Sequence, residues 1–167
     1  MNLKELSLIL VLSIYSCSVC AQELSENMSD RMNILDFCEQ LRAAIKSKDT
    51  DFLETVLNGT IILEQDGDDI KKSNKDQFFR RYRVFWIHDK AFDCEFSEFE
   101  IEEHPKEAGM YGVTFRQKLW NDIYNYGDHT FLFMDIRNKD VPIVHVLVST
   151  PLGTKERKRI SVTDFKI

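Results

Sequence analysis

Apolar residues return along this chain at two periods: every three or four positions in the first half, every second position in the second. From Met32 to Lys48, Ile34, Leu35, Phe37, Cys38, Leu41, Ala44 and Ile45 recur at helical spacing. Asp36, Glu39, Gln40, Arg42 and Lys46 lie on the far side, so the pattern predicts an amphipathic helix. Asp49-Thr50 offers an N-cap for a second, short helix over 51–57 that buries Phe52, Leu53 and Val56, and Asn58-Gly59 ends it. A third helix is expected from Lys75 to Ile87, with Phe78, Tyr82, Phe85 and Trp86 as its apolar stripe and Arg80, Arg81 and Arg83 on its wet face. Thr60 to Glu64 reads as a short strand and 65–75 as a charged loop. Within that loop Asp66-Gly67-Asp68-Asp69 matches only a fragment of a calcium loop, without the distal Glu.

After Ala91 the period becomes two. In the run 91–103, Phe92, Cys94 and Phe96 alternate with polar residues, and then the apolar set slips by one to Phe99 and Ile101, the signature of a β-bulge. Glu107 to Pro151 holds three more strand-like runs. The first gap between them carries Asn121, Asn125 and Gly127, the second Asn138, Asp140 and Pro142. Gaps this short join antiparallel neighbours, because a parallel return needs a crossover of about a dozen residues. A last strand is expected over 159–167. Helices first and strands after them make an α+β fold: three N-terminal helices packed on a strongly curved, mostly antiparallel sheet.

The first residues stand apart. Lys4 precedes a mostly apolar run from Leu6 to Val19, too short for a transmembrane helix, and Val19-Cys20-Ala21 offers the small residues that a signal peptidase reads. The expected organisation is a signal peptide over 1–21, a flexible lead-in over 22–31 and a single domain over 32–167. The product is exported, periplasmic or secreted. Lipidation at Cys17 is the alternative route, with the bulky Tyr15 against it. Cleavage leaves Cys38 and Cys94; export permits a disulfide, while their apolar settings favour buried thiols.

Composition then removes some partners. The formal net charge of -6 argues against nucleic acid, which asks for a basic face. Twelve Phe, five Tyr and two Trp suit a sheet packed on helices or an aromatic-lined cavity. Four scattered His and no Cys/His cluster make no metal site, and no cofactor is expected.

The order of elements, and the stretch from Tyr126 to Arg137 (YGDHTFLFMDIR) followed by Pro142-Ile143-Val144-His145-Val146, resemble the nuclear transport factor two-like superfamily. The resemblance is to a subgroup of small exported bacterial proteins and covers most of the chain after the signal. It implies a cystatin-like, cone-shaped α+β barrel. In that subgroup the first strand ends in a Trp-Asp-Phe-like triplet and the next carries Ile-His-Val-Arg. Here Met134 replaces an aromatic residue, and 147–150 (LVST) replaces a basic and aromatic run. The superfamily holds isomerases, dehydratases, hydrolases and binding modules, so the resemblance does not choose a reaction.

Strand alternation nominates a site. If odd residues lie opposite odd across both turns, one face carries Tyr111, Phe115, Gln117, Phe131, Phe133, Asp135 and His145. That face is aromatic with a few convergent polar groups, as ligand pockets are lined. Asp135 and His145 would then be opposite one another, a carboxylate orienting an imidazole as a general base. The even face carries Leu132, Met134, Val144, Val146 and Val148, an aliphatic surface suited to a homodimer or to cover by the chain's own C-terminal segment. The leading expectation is a non-catalytic module binding a small apolar or amphipathic ligand, or a protein partner, among Tyr111, Phe115, Gln117, Phe131 and Phe133. A small lyase, isomerase or hydrolase using His145 and Asp135 is the first alternative. A structural, dimerising protein is the second, and a filled cavity would favour it.

Overall fold

The computed structural model describes residues 27–66, 68–87, 91–137, 142–152 and 160–165. The expected signal segment and Cys17 lie outside them. The chain divides into two units, residues 1–33 and 34–167. Residues 27–33 are helical. In the larger unit, helix α1 covers residues 34–47. It ends where Lys48 turns into the left-handed region at φ 63°. Asp49 caps α2 (Thr50–Val56) by accepting a hydrogen bond from the Phe52 amide at 3.0 Å. α3 (Lys75–Ile87) opens with a reciprocal box: Gln77 N donates to Asn74 Oδ1 at 2.8 Å, and Asn74 N donates to Gln77 Oε1 at 3.2 Å.

Six strands make one sheet: β1 (Ile61–Asp66), β2 (Asp69–Ser73), β3 (Asp93–Glu103), β4 (Met110–Trp120), β5 (Asn125–Asp135) and β6 (Ile143–Pro151). Their spatial order is β2-β1-β6-β5-β4-β3. Only β1 and β6 run parallel; the other neighbours are antiparallel. The architecture is α+β, and the sheet curls without closing, with β2 and β3 as its edges. The expected bulge in β3 is present as a register shift between Ser97 and Glu100, with Glu98 at φ 57°. β2 was expected as loop. Its residues Asp69–Lys72 are exposed, so it carries no apolar alternation to announce it.

The expected odd-opposite-odd register is corrected. Trp120 faces Asn125 across a four-residue turn, so each odd residue of β4 meets an even residue of β5. The same holds between most of β5 and β6, where Leu132 faces Leu147 and Phe131 faces Val148. A shift between Phe133 and Met134 then restores even-opposite-even, with Met134 facing Val144 and His145 as the extra residue.

Both faces of the central strands consequently carry buried apolar residues. The inner face presents Tyr111, Val113, Phe115, Leu119, Leu132, Met134, Val144 and Leu147. These share one apolar cluster with Phe37, Leu41 and Ile45 of α1, Leu53 of α2 and Phe78, Tyr82 and Phe85 of α3. The outer face presents Met110, Phe131, Phe133, Val146 and Val148, which cluster with Ile160, Val162 and Phe165 from the end of the chain. That end is no strand: Val162–Asp164 is a single 3-10 turn behind Ser161. The aliphatic face expected to serve a homodimer is therefore divided. Leu132, Met134 and Val144 lie in the inner core, Val146 and Val148 under the tail, and each is buried within one chain.

Cys38 and Cys94 are free and buried in the inner cluster. Burial pushes the Cys38 thiol up to about 12 and the Cys94 thiol up to about 11.

Phe115 is fully buried, its ring tilted by 30° against that of Phe96 with centres 4.5 Å apart, whereas Ile143 is 48 % exposed. Phe115→Ala should cost about 3–5 kcal/mol in urea unfolding, and Ile143→Ala should stay within about 1 kcal/mol. Equal small effects would mean that Phe115 lines open space.

Candidate functional site

The residues nominated from sequence do not form one cavity. Tyr111, Phe115 and Gln117 belong to the inner face, while Phe131 and Phe133 belong to the outer cluster beneath the tail. Asp135 faces Ile143, not His145. The Asp135 carboxylate is bound by Arg137 through Nε, Nη2 and the backbone amide, and these contacts hold it below the usual carboxylate range. His145 lies beside the Phe133 ring, 6.4 Å between centres, and among the described residues its buried Nε2 has no hydrogen-bond partner. A carboxylate-oriented imidazole is thus not assembled.

A different polar group is assembled at the inner face. Arg81 extends from α3 over the start of β5. Its Nη1 donates to Asp128 Oδ2 at 3.1 Å and to the Ser149 hydroxyl, and its Nη2 donates to Glu64 Oε1 at 3.0 Å. Asp128 also accepts from Ser149 Oγ at 2.6 Å, Thr130 Oγ1 at 3.1 Å and Tyr126 OH at 3.3 Å. The Arg81 guanidinium stands 5.1 Å over the Tyr126 ring, a cation–π contact. Side-chain exposure is 18 % for Arg81, 43 % for Glu64 and 2 % for Asp128. One cation therefore joins α3 to β1, β5 and β6, with its outer carboxylate half in water and its inner one buried. Burial raises the Asp128 carboxyl against the pull of Ser149, Arg81, Thr130 and Tyr126. Burial likewise pushes the Tyr126 phenol up to about 12.

From Thr130 the chain of polar contacts runs inward. The Thr130 hydroxyl lies 3.4 Å from Gln117 Oε1, and Gln117 Nε2 donates to Tyr82 OH at 3.1 Å. These three side chains border a small void whose other walls are Leu41, Ile45, Leu53, Leu57, Phe78, Phe115 and Leu147. Its volume is about 10 Å³, room for about one water. Among the described residues no three His, Cys, Asp or Glu side chains are placed to hold a metal ion. Chemically the arrangement offers hydrogen bonds at one end of an apolar chamber. The titratable carboxyl of Asp128 lies one residue contact beyond that chamber's wall.

With this geometry described, comparison adds one finding. The chain matches no family model and no curated protein.

Of the nominated residues, Phe115 and Gln117 border the void. Arg81 and Asp128 were missed. Arg81 sits where helical spacing reads as the wet side of α3, and Asp128 falls in a stretch, NYGD, rich in turn residues. The signal that could have found Asp128 is its alternation with Thr130 and Leu132 once β5 is extended back to Asn125.

The raised carboxyl fixes the sign of a pH effect. Folded Asp128 keeps its proton to higher pH than the unfolded chain does. Above the ordinary carboxylate range the native state therefore binds more protons, and this group's contribution to stability is lost as pH rises. Asp93 beside Lys46, Glu39 beside Arg42 and Asp135 beside Arg137 are shifted the other way and act only below that range. In urea unfolding between about pH 4 and 8, the stability of wild type minus that of Asp128→Asn should fall as pH rises. A difference that is flat or rising would contradict the assignment.

Proposed function

We propose that the domain is a non-catalytic binding module. It holds the apolar part of a small amphipathic molecule between α1, α2, α3 and the inner sheet face, with Tyr82, Gln117 and Thr130 receiving its polar end. The observation that supports this reading is the composition of the void: seven apolar walls and three hydrogen-bonding side chains gathered at one end. Ligand sites are built in this way, apolar in bulk with a few placed polar groups. The ligand class is small and neutral at its head. Asp128 and Glu64 already surround Arg81, so an anionic head would meet two carboxylates and a cationic one would meet Arg81 itself.

We also propose the nuclear transport factor two-like superfamily, with its cone-shaped barrel, as the fold family. In its support, helices precede long antiparallel strands, β3 is bent by a bulge, and helix side chains share a core with one face of the sheet. The binding reading is preferred to an enzymatic one through His145 and Asp135 because Arg137 engages the carboxylate and, among the described residues, His145 Nε2 makes no hydrogen bond.

The volume of the void favours a second reading, a structural interaction protein with a closed core. At about 10 Å³ the chamber admits a ligand only if Leu53 and Leu57 move outward with α2, a helix of seven residues. Titration of the ¹⁵N-labelled protein with 1-octanol separates the two. Binding predicts saturable shifts at Leu53, Gln117 and Thr130. No shift at these residues up to the solubility limit of the alcohol would leave the structural reading standing.

A further inference from the structure

The connection from α2 to β1 holds the only Asn-Gly pair of the sequence, Asn58-Gly59. The chain is fixed on either side of it. Leu57 is 1 % exposed, and its N–H donates to Leu53 O at 3.0 Å to close the helix. Thr60 N donates to Leu57 O at 3.2 Å, and the Thr60 hydroxyl donates to Val144 O of β6 at 2.7 Å. Between these anchors Asn58 and Gly59 are exposed. Asn58 N donates to Thr55 O, but among the described residues neither the Asn58 side-chain amide nor the Gly59 N–H makes a hydrogen bond. Gly59 sits at φ 77°, and a Cβ built on it would meet nothing within 4 Å.

Other asparagines lack this combination. Asn121 is followed by Asp122, its Oδ1 accepts from Ile123 N and Tyr124 N, and its Nδ2 donates to Phe85 O. Asn74 is followed by Lys75, and its Oδ1 accepts from Gln77 N at the start of α3. Asn125 is held in β5 before Tyr126. Hydrogen bonds that hold the side chain, or a Cβ on the next residue, keep the amide carbon away from the following backbone nitrogen. A free amide beside glycine lets the two meet within one chain, with the rate advantage of an intramolecular reaction.

We propose that Asn58-Gly59 is a site of self-modification, where the side-chain amide is converted through a cyclic imide into a carboxylate, and that this change loosens α2. Gly59 N gives its proton to hydroxide and attacks Asn58 Cγ. A C–N bond forms there as the bond to the side-chain nitrogen breaks, and that nitrogen takes a proton from water and leaves as ammonia. Water then opens the imide. Cleavage at Cγ gives aspartate, and cleavage at the main-chain carbonyl gives isoaspartate. Water is consumed, ammonia is released and nothing is oxidised or reduced. Both products place a negative charge just beyond the C-terminal end of α2, where the helix dipole disfavours it and the last turn carries no basic residue to answer it. Isoaspartate also adds a methylene to the main chain between Leu57 and Thr60. With Thr60 tied to β6, the added length displaces α2, a helix of seven residues. The site stands whether or not the inner void holds a ligand.

Ageing the full chain in mildly alkaline buffer tests both halves. Peptide mapping by mass spectrometry should show acid replacing amide at Asn58 at least about tenfold faster than at Asn74 or Asn121, with isoaspartate among the products. The rate should rise with pH, because Gly59 N must lose its proton. Gly59→Ala should slow the conversion, since the added Cβ hinders ring closure although the fold leaves it room. Alanine is strained at φ 77°; should that variant fail to fold, Asn58→Gln replaces it and should leave the site unconverted. Hydrogen exchange in the aged protein, and in Asn58→Asp, should quicken at the amides of Leu53 and Leu57 and stay unchanged at Phe115 in β4. Conversion at Asn58 no faster than at Asn121 overturns the site. Unchanged exchange in α2 of the fully converted protein overturns its effect on the helix.

Discussion

Much of this structure follows from the turn at Asn121. The Asn121 side-chain oxygen accepts hydrogen bonds from Ile123 N at 2.9 Å and Tyr124 N at 2.7 Å, and its backbone amide donates to Tyr124 O. Its Nδ2 donates to Phe85 O, which ties the turn to the end of α3. One short polar side chain thereby sets a four-residue connection and places Trp120 opposite Asn125. A connection one residue longer or shorter would reverse β5 relative to β4 and send Leu132 and Met134 to the tail side, with Phe131 and Phe133 toward the helices. The division of the molecule into an inner core and an outer groove rests on that parity.

With both faces covered, the central strands lose the simple alternation of a half-wet sheet. Residues 131–134 (FLFM) and 144–148 (VHVLV) read as near-continuous apolar runs for this reason. In such a setting the Arg81 cluster is the electrostatic exception. Four elements converge on one guanidinium, and the buried carboxylate that answers it is satisfied by three hydroxyls as well. Removing one partner from a buried pair leaves the other uncompensated, at a cost of about 3–5 kcal/mol. The cluster therefore fixes where α3 sits above β5 and β6, and in doing so it brings Tyr82 to Gln117 at the end of the void.

The long, strongly patterned elements were legible in the sequence. α3 runs over the residues that its aromatic spacing marks, and the slip from Phe96 to Phe99 locates the β3 bulge. What escaped was decided by quantities that pattern does not carry. β2 is an exposed edge strand of Asp, Ile, Lys, Lys and Ser, held by pairing with β1 and with no buried stripe of its own. Residues 125–128 look like a turn because Asn, Gly and Asp are turn formers, yet pairing with β4 and β6 recruits them into β5. Reading them as a turn left the loop length open and with it the parity, so Phe131 and Phe133 were assigned to the wrong face. The tail has strand-like composition in ISV, but Ser161 caps a 3-10 turn and there is no ladder for it to join among the described residues. Arg81 and Asp128 could not be paired from sequence, since their meeting depends on that same register across 47 positions.

The parity of β5 is best tested by ring-to-ring nuclear Overhauser effects in a selectively labelled protein. The account predicts cross-peaks from Phe165 to both Phe131 and Phe133, and none from Phe131 or Phe133 to Phe78 or Tyr82. Cross-peaks from Phe131 or Phe133 to the α3 rings would show that β5 presents its odd residues to the helices, and the division into inner core and outer groove would fall.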